Sequence, residues 1–267
     1  MFTIPDLPLA GNDLAERLAS EAHLYLFLDY DGTLAPFAPN PDVVIPDGDL
    51  IRLVERLIGT PGVRTAVVSG RRLEHILKLL PIRGLIAAGT YGLEIHGPDG
   101  EIWIRAGLEG FQAYILRLKP TWEGLLAHRP GFYLEDKTWS LAIHARFASQ
   151  KASAEVFSSA QTIAFDQDMP DGMHFQGGDR FLEVSPSAAD KGLAVAEILQ
   201  RFPLKEARPV YLGDDDKDEI AFATIERLGG VSIVVTPVSR PTNAGFRLAD
   251  PQSVRGWLTD LIKRRQV

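Results

Sequence analysis

The sequence contains no cysteine, which removes disulfides and thiolate metal sites from consideration and fits a reducing compartment. It has no uninterrupted apolar stretch of the length a membrane-spanning helix needs. Its first ten residues, Met1 to Ala10, carry Pro5, Asp6 and Pro8 and lack the basic segment and apolar run of a secretory signal, so a cytoplasmic location is the expectation. A cationic run is missing apart from the short Lys263-Arg264-Arg265, which suits the end of a terminal helix. With a net charge of −7 and a pI near 5.4, a nucleic-acid footprint is not expected. There is no internal repeat, no low-complexity tract and no Gly/Ser-rich linker. These absences leave a small molecule as the expected partner, with no nucleic acid and no membrane, and a monomer as the expected state.

What is present is an ordinary globular composition, 45% hydrophobic and 24% charged over 267 residues, enough for a core domain carrying a smaller inserted one. Buried apolar runs alternate with segments of helical period, the pattern of a parallel sheet with crossover helices. Strands are expected at Leu24–Leu28, Val63–Val68, Leu85–Ala88, Val210–Leu212 and Val231–Val235. Helices are expected at Gly48–Ile58, Leu73–Leu80, after Lys191, at Glu219–Arg227 and at Val254–Ile262. Between the two halves the texture changes. A hairpin is expected around Pro98-Asp99-Gly100, a long helix over Leu108–Leu126, and then strands, a helix near Gln150–Thr162, and short strands around His174 and Phe181. The fold class expected is α/β, a doubly wound parallel-sheet core with an inserted α+β unit. The core is expected over residues 1–104 and 185–267, and the insertion over 105–184.

In an open parallel sheet, the strand ends on one edge converge on a crevice. Here they carry Asp29 and Asp31, Ser69, and Asp214 with Asp215. Carboxylates gathered there repel one another unless a divalent cation sits among them, and hard oxygen ligands of this kind suit Mg²⁺. Asp29 can attack phosphorus to form an acyl phosphate. Asp31, two residues on, can protonate the leaving alkoxide and then deprotonate the hydrolytic water, with Gly32 giving the chain a tight turn. Taken alone, Asp-x-Asp-Gly reads equally well as a solvated turn after a strand. Ser69 and the Gly70 amide, expected at a helix N-terminus, offer donors to a phosphate, although Ser69 alone also reads as a helix cap. Lys191, opening a helix against its dipole, is a candidate phosphate clamp, and otherwise a surface lysine. Asp214 is placed to bind the metal, with Asp215 and Asp218 orienting ligands or waters. Acids favoured in a first helical turn also account for Asp218 and Glu219.

Together, Leu28-Asp29-Tyr30-Asp31-Gly32-Thr33-Leu34, Val68-Ser69-Gly70-Arg71, Lys191 and Gly213-Asp214-Asp215 resemble the haloacid dehalogenase superfamily. Within it they resemble the trehalose-6-phosphate phosphatase family, from about Tyr25 to Leu261. The resemblance implies a Rossmann-like core with a cap between the second and third motifs, and a Mg²⁺-dependent phosphatase acting on a phosphorylated disaccharide. It implies Asp29 as nucleophile and metal ligand, Asp31 as general acid/base that also gives its backbone carbonyl to the metal, and Asp214 as metal ligand. Ser69, Gly70 and Lys191 bind phosphate. In the cap, Leu134-Glu135-Asp136-Lys137 and Glu183-Val184-Ser185-Pro186 resemble the sugar-reading segments, implying Glu135, Lys137 and Glu183 as substrate contacts; bare sequence reads these as a surface ion pair and a strand-end acid.

Three positions depart from the family pattern: Tyr91-Gly92 stands for His-Gly, Ser185-Pro186 for Arg-Pro, and Lys217 for threonine. They leave room for another glycosyl or sugar phosphate, or for a phosphomutase. A phosphoacceptor signalling domain is disfavoured because its acidic pair precedes the acceptor, whereas Asp214-Asp215 follows Asp29. A non-catalytic carbohydrate binder is disfavoured by the joint presence of Asp29 and Asp31.

Overall fold

The computed structural model describes residues 7–37, 44–178 and 180–266. Pro5 and Asp6 of the N-terminal segment lie outside the described residues. The chain divides into two compact units, Met1–Ile104 with Asp190–Val267, and Arg105–Ala189.

The first unit begins with α1 (Asn12–Ala19), β1 (Leu24–Leu28), α2 (Gly48–Ile58), β2 (Val63–Val68), α3 (Leu73–Leu79) and β3 (Ile86–Gly89). A hairpin of β4 (Glu94–His96) and β5 (Ile102–Ile104) follows. The second unit holds α4 (Glu109–Leu126), β6 (Tyr133–Asp136), β7 (Leu141–His144), α5 (Gln150–Asp166), β8 (Met173–Gly178) and β9 (Phe181–Pro186). The chain then returns to the first unit with α6 (Lys191–Arg201), β10 (Arg208–Gly213), α7 (Glu219–Arg227), β11 (Val231–Val235), β12 (Phe246–Leu248) and α8 (Pro251–Arg265).

The first unit is an eight-stranded sheet in the order β12-β11-β10-β1-β2-β3-β4-β5, parallel from β12 to β3 and antiparallel over the last two pairs. Its layering follows from the two-residue period of β1. Leu24, Leu26 and Leu28 enter a cluster with α1, α2 and α8, while Tyr25 and Phe27 enter another with α6 and α7. A strand covered by helices on both faces has no polar side, which is why β1 reads as an unbroken apolar run. Each fully buried Leu or Phe of this kind contributes about 1.5–3 kcal/mol. Helix α2 shows the complementary logic. Leu50, Leu53, Val54 and Leu57 form its buried stripe, and Asp47 caps it by accepting from the amides of Asp49 and Leu50.

The second unit is an antiparallel sheet, β6-β7-β9-β8, covered on one face by α4 and α5 through Leu141, Ile143, Leu182, Val184, Tyr114 and Trp122. Alternation leaves the other face to Glu135, His144, Glu183 and Gln176.

The observed class is α/β, a parallel-sheet core with a mixed α/β companion. The hairpin expected around Pro98-Asp99-Gly100 extends the core sheet, with Ile95 paired to Ala88 and buried. Helix α1 and strand β12 were not expected; a three-residue strand is shorter than any periodic signal can resolve. No helix among the described residues is long and apolar enough to cross a membrane.

Candidate active site

Strand β1 delivers Asp29 to the C-terminal edge of the sheet, where its amide still donates to the Leu212 carbonyl of β10 at 2.9 Å. The final β1–β2 pair, Leu28 with Val67, leaves Asp29 one residue and Ser69 two residues beyond it on adjacent strands. The chain then turns through Gly32, whose φ of +81° is in the left-handed region. A Cβ there would lie 2.1–2.6 Å from the Asp214 carboxylate, so glycine is needed for space as well as for conformation.

At the centre lies Lys191, 3% exposed, with Nζ donating to Asp29 Oδ1 at 2.8 Å and to Asp218 Oδ1 at 2.7 Å. A surface lysine is thereby excluded. Asp218 is fully buried and fully partnered. Tyr211 donates its hydroxyl to Oδ1 at 2.6 Å, and the amides of Asp214 and Asp215 donate to Oδ2 at 3.0 and 3.1 Å. Asp215 caps the turn at Asp216–Asp218 by accepting from Lys217 and Asp218. Arg240, from the segment between β11 and β12, donates to the carbonyls of Asp214 and Asp215 at 3.1 and 3.3 Å and pairs with Glu219 at 3.0 Å. Asp215 and Asp218 therefore order the acidic loop.

The electrostatics follow from burial. Desolvation pushes the Asp29 carboxyl well above its ordinary range even against the attraction of Lys191, and the neighbouring carboxylates of Asp218, Asp214 and Asp215 push the same way. Burial, then Asp215 and Asp218, raise Asp214 to about 7. For Asp215 burial works in the same direction, but Lys191, a hydrogen bond with Asp218 and Lys217 more than offset it and hold the group below its ordinary value. Oxygen atoms of Asp29, Asp214 and Asp218 lie within 4.8 Å of one another. With the Asp218 oxygens already taken up by Lys191, Tyr211 and two amides, Asp29 and Asp214 are the carboxylates of this trio that fit a hard divalent cation such as Mg²⁺.

Ser69 is buried, and its hydroxyl accepts from the Arg71 amide at 3.1 Å. It does not cap a helix, and the Gly70 amide is not at a helix N-terminus. Helix α3 starts three residues after Gly70, at Leu73, because the loop first turns to bind the 90–91 segment, with Thr90 N–H donating to the Arg71 carbonyl and Tyr91 N–H to that of Ser69. Asp31 is held by Arg71 through two parallel bonds, Nε to Oδ2 at 2.6 Å and Nη2 to Oδ1 at 2.7 Å. Arg71 is itself 5.7 Å from the Tyr30 ring centroid. Reading the motif as a phosphate loop gives Arg71 no role; its partner Asp31 is 40 residues away, and no local signal in the sequence pairs them.

In the second unit, Glu135, Lys137 and Glu183 form one buried cluster on the sheet face away from the helices. Lys137 Nζ lies 3.2 and 3.3 Å from the two Glu183 oxygens and 3.8 Å from Glu135 Oε2. Ser140 donates to Glu183 Oε1 at 2.6 Å, and His144 Nε2 lies 2.8 Å from Glu135 Oε2. Burial tends to raise the Glu135 carboxyl, but Lys137 and His144 outweigh it and hold it below its ordinary value. A solvent-exposed ion pair is excluded. Ser140, just before β7, and His144, at its end, lie in a stretch that follows the Glu135–Lys137 segment but had no role of their own, because their partners come from β9 and β6.

Comparison with known proteins places these residues in a family. The trehalose-phosphatase family model matches residues 27–252. The trehalose-6-phosphate phosphatase of Escherichia coli is 32% identical over 245 residues, covering 92% of this chain and 89% of that protein. The structure of the Candida albicans trehalose-6-phosphate phosphatase C-terminal domain superposes with a TM-score of 0.82 at 22% identity, over 97% of this chain and 99% of that one. A haloacid dehalogenase-like hydrolase from Bacteroides thetaiotaomicron shares the fold, with a TM-score of 0.60 at 14% identity, over 89% and 98% of the two chains.

Proposed function

This chain belongs to the trehalose-phosphatase family and is a phosphoric monoester hydrolase of that type, and we propose that it hydrolyses trehalose 6-phosphate to trehalose and phosphate through an aspartyl-phosphate on Asp29, in a Mg²⁺-dependent reaction. The observation that carries the reading is the gathering of buried Asp29, Lys191 and Asp218 with half-buried Asp214 at one sheet edge.

Asp29 attacks phosphorus, and the bond from phosphorus to the sugar oxygen breaks as Asp31 protonates that oxygen. Asp31 then takes a proton from water, which attacks the acyl phosphate, releases inorganic phosphate and restores Asp29. The Arg71 fork fixes the direction of the Asp31 carboxylate. Lys191 offsets the charge of Asp29 and binds a phosphate oxygen, with the Ser69 hydroxyl and the Gly70 amide as neutral donors. Asp29, Asp214 and the Asp31 backbone carbonyl would hold the Mg²⁺, which when bound supplies the positive charge that lets a carboxylate meet a phosphate dianion. Asp215 and Asp218 keep the Asp214 loop in place. The second unit reads the sugar through Glu135 and Lys137. Glu183, whose carboxylate is taken up by Lys137 and Ser140, fixes the ammonium among the acids.

The test is phosphate release from trehalose 6-phosphate beside other glycosyl and hexose phosphates, with and without Mg²⁺, with the Asp29→Asn variant alongside. Turnover of trehalose 6-phosphate that needs Mg²⁺ and vanishes in a folded Asp29→Asn protein is expected. A preference for a hexose phosphate would overturn the substrate, and an active Asp29→Asn variant the mechanism.

A further inference from the structure

Two of the residues that depart from the family pattern, Tyr91 and Lys217, meet in the structure. The Lys217 ammonium donates to the Tyr91 hydroxyl and lies 4.2 Å from the centroid of its ring. Tyr91 belongs to the turn that follows β3, and Lys217 to the turn that follows β10. In the sheet those two strands are separated by β1 and β2. A direct side-chain bond between them therefore crosses the C-terminal ends of β1 and β2, where Asp29 and Ser69 stand.

Tyr91 also grips the loop after β2. Its ring and hydroxyl atoms lie 2.5–2.7 Å from where a Gly70 Cβ would be, so the ring packs flush on the Gly70 backbone. Its amide donates to the Ser69 carbonyl at 2.9 Å. Tyr91 achieves this in the left-handed region, with φ at +55°, a conformation that a bulky side chain adopts only when its surroundings impose it. Lys217, holding both the hydroxyl and the face of the ring, is one such constraint.

We propose that Tyr91 and Lys217 are positioning residues that strap the Ser69-Gly70 loop across the end of the sheet and hold its hydroxyl and amide donors in place for a phosphate group. The inference rests on the reading of that loop as the phosphate-binding element. It accounts for the two departures together. A ring that lies on Gly70 at the far side of the crevice needs a group long enough to reach it from the β10 turn. Lysine has that reach and threonine does not.

The test uses Tyr91→Phe, Lys217→Met, Lys217→Arg and the Tyr91→Phe/Lys217→Met double variant of the full chain. Binding of inorganic phosphate is followed by calorimetry in Mg²⁺-containing buffer, with KM, kcat and melting temperature measured beside it. Each of the first two variants should weaken phosphate binding and raise KM by about tenfold, the size of one lost hydrogen bond to a charged group, with the melting temperature held. Lys217→Arg, which keeps a cation on the ring, should recover most of the loss, and the double variant should lose no more than the worse single one. Phosphate affinities within twofold of wild type, additive losses, or losses that track melting temperature would overturn the strap. If wild type hydrolyses no sugar phosphate, the functional reading falls, while the phosphate titration decides the strap by itself.

Discussion

Arg71 holds the carboxylate of Asp31 in a two-pronged bond, at 2.6 and 2.7 Å, with its own side chain almost wholly buried. A planar fork fixes the direction of a carboxylate as well as its charge. Removing it should therefore injure the proton transfer assigned to Asp31 more than phosphate binding. In Arg71→Ala, turnover of a sugar phosphate, whose alkoxide needs a proton to leave, should fall by roughly a hundredfold, the scale of general acid catalysis. Turnover of an aryl phosphate, whose leaving group needs no acid, should fall much less. Comparing kcat on the two substrates decides it, and equal losses would show that Arg71 serves something other than Asp31.

Lys191 is the only side chain donating to both Asp29 and Asp218 among the hydrogen bonds of the described residues. Lys191→Met should cost about 3–5 kcal/mol of unfolding free energy, because two buried carboxylates then lose their cation. Asp29→Asn should cost far less, since it removes a charge that burial already disfavours. Urea denaturation of the two variants without Mg²⁺ separates them; a milder effect for Lys191→Met would mean the carboxylates are protonated or hydrated when it is gone.

Mg²⁺ should raise the melting temperature of the wild-type protein, and a chelator should reverse the rise and abolish turnover. Asp214→Asn should lose the thermal response itself, because Asp214 is a carboxylate of the acidic trio whose oxygens are not already taken up in ordering the loop, as those of Asp218 are. Thermal scans with and without Mg²⁺ read this independently of activity. An undiminished shift in Asp214→Asn would place the cation elsewhere.

In the second unit, Lys137 and His144 hold the Glu135 carboxyl below its ordinary value of 4.5. A lowered folded-state value contributes stability that is present above 4.5 and lost as pH falls through the folded value. Glu135→Gln should therefore make the acid limb of the stability curve shallower. If Glu135 contacts the sugar as proposed, the same variant should lose turnover on a disaccharide phosphate and keep it on a small aryl phosphate. An unaltered acid limb would mean that the ion pair does not persist in solution.

The parallel strands were legible because burial on both faces forces continuous apolar runs such as Leu24–Leu28, and the motifs of Asp29, Ser69 and Asp214 because each sits where such a run stops. The hairpin at Glu94–Ile104 was legible as a hairpin, but its antiparallel pairing with β3 was not, since that pairing depends on a neighbour rather than on its own pattern. Ser-Gly before an apolar period is also a capping pattern, so the placement of Ser69 and Gly70 at a helix N-terminus was not decidable locally; the structure spends those residues on a loop gripped by Thr90 and Tyr91.

The sequence alone determined which groups are available: acids and a serine at strand ends, a lysine opening a helix, glycines at Gly32 and Gly70 where nothing larger fits. Only the tertiary structure decided what each one faces. Lys191 and Asp29 are 162 residues apart in the chain, and Arg71 and Asp31 are 40. Such pairings arise from strand order and the packing of helices on the sheet, which local pattern does not encode, because a side chain's partner is set by the fold of the whole unit while its chemistry is set by its own residue type.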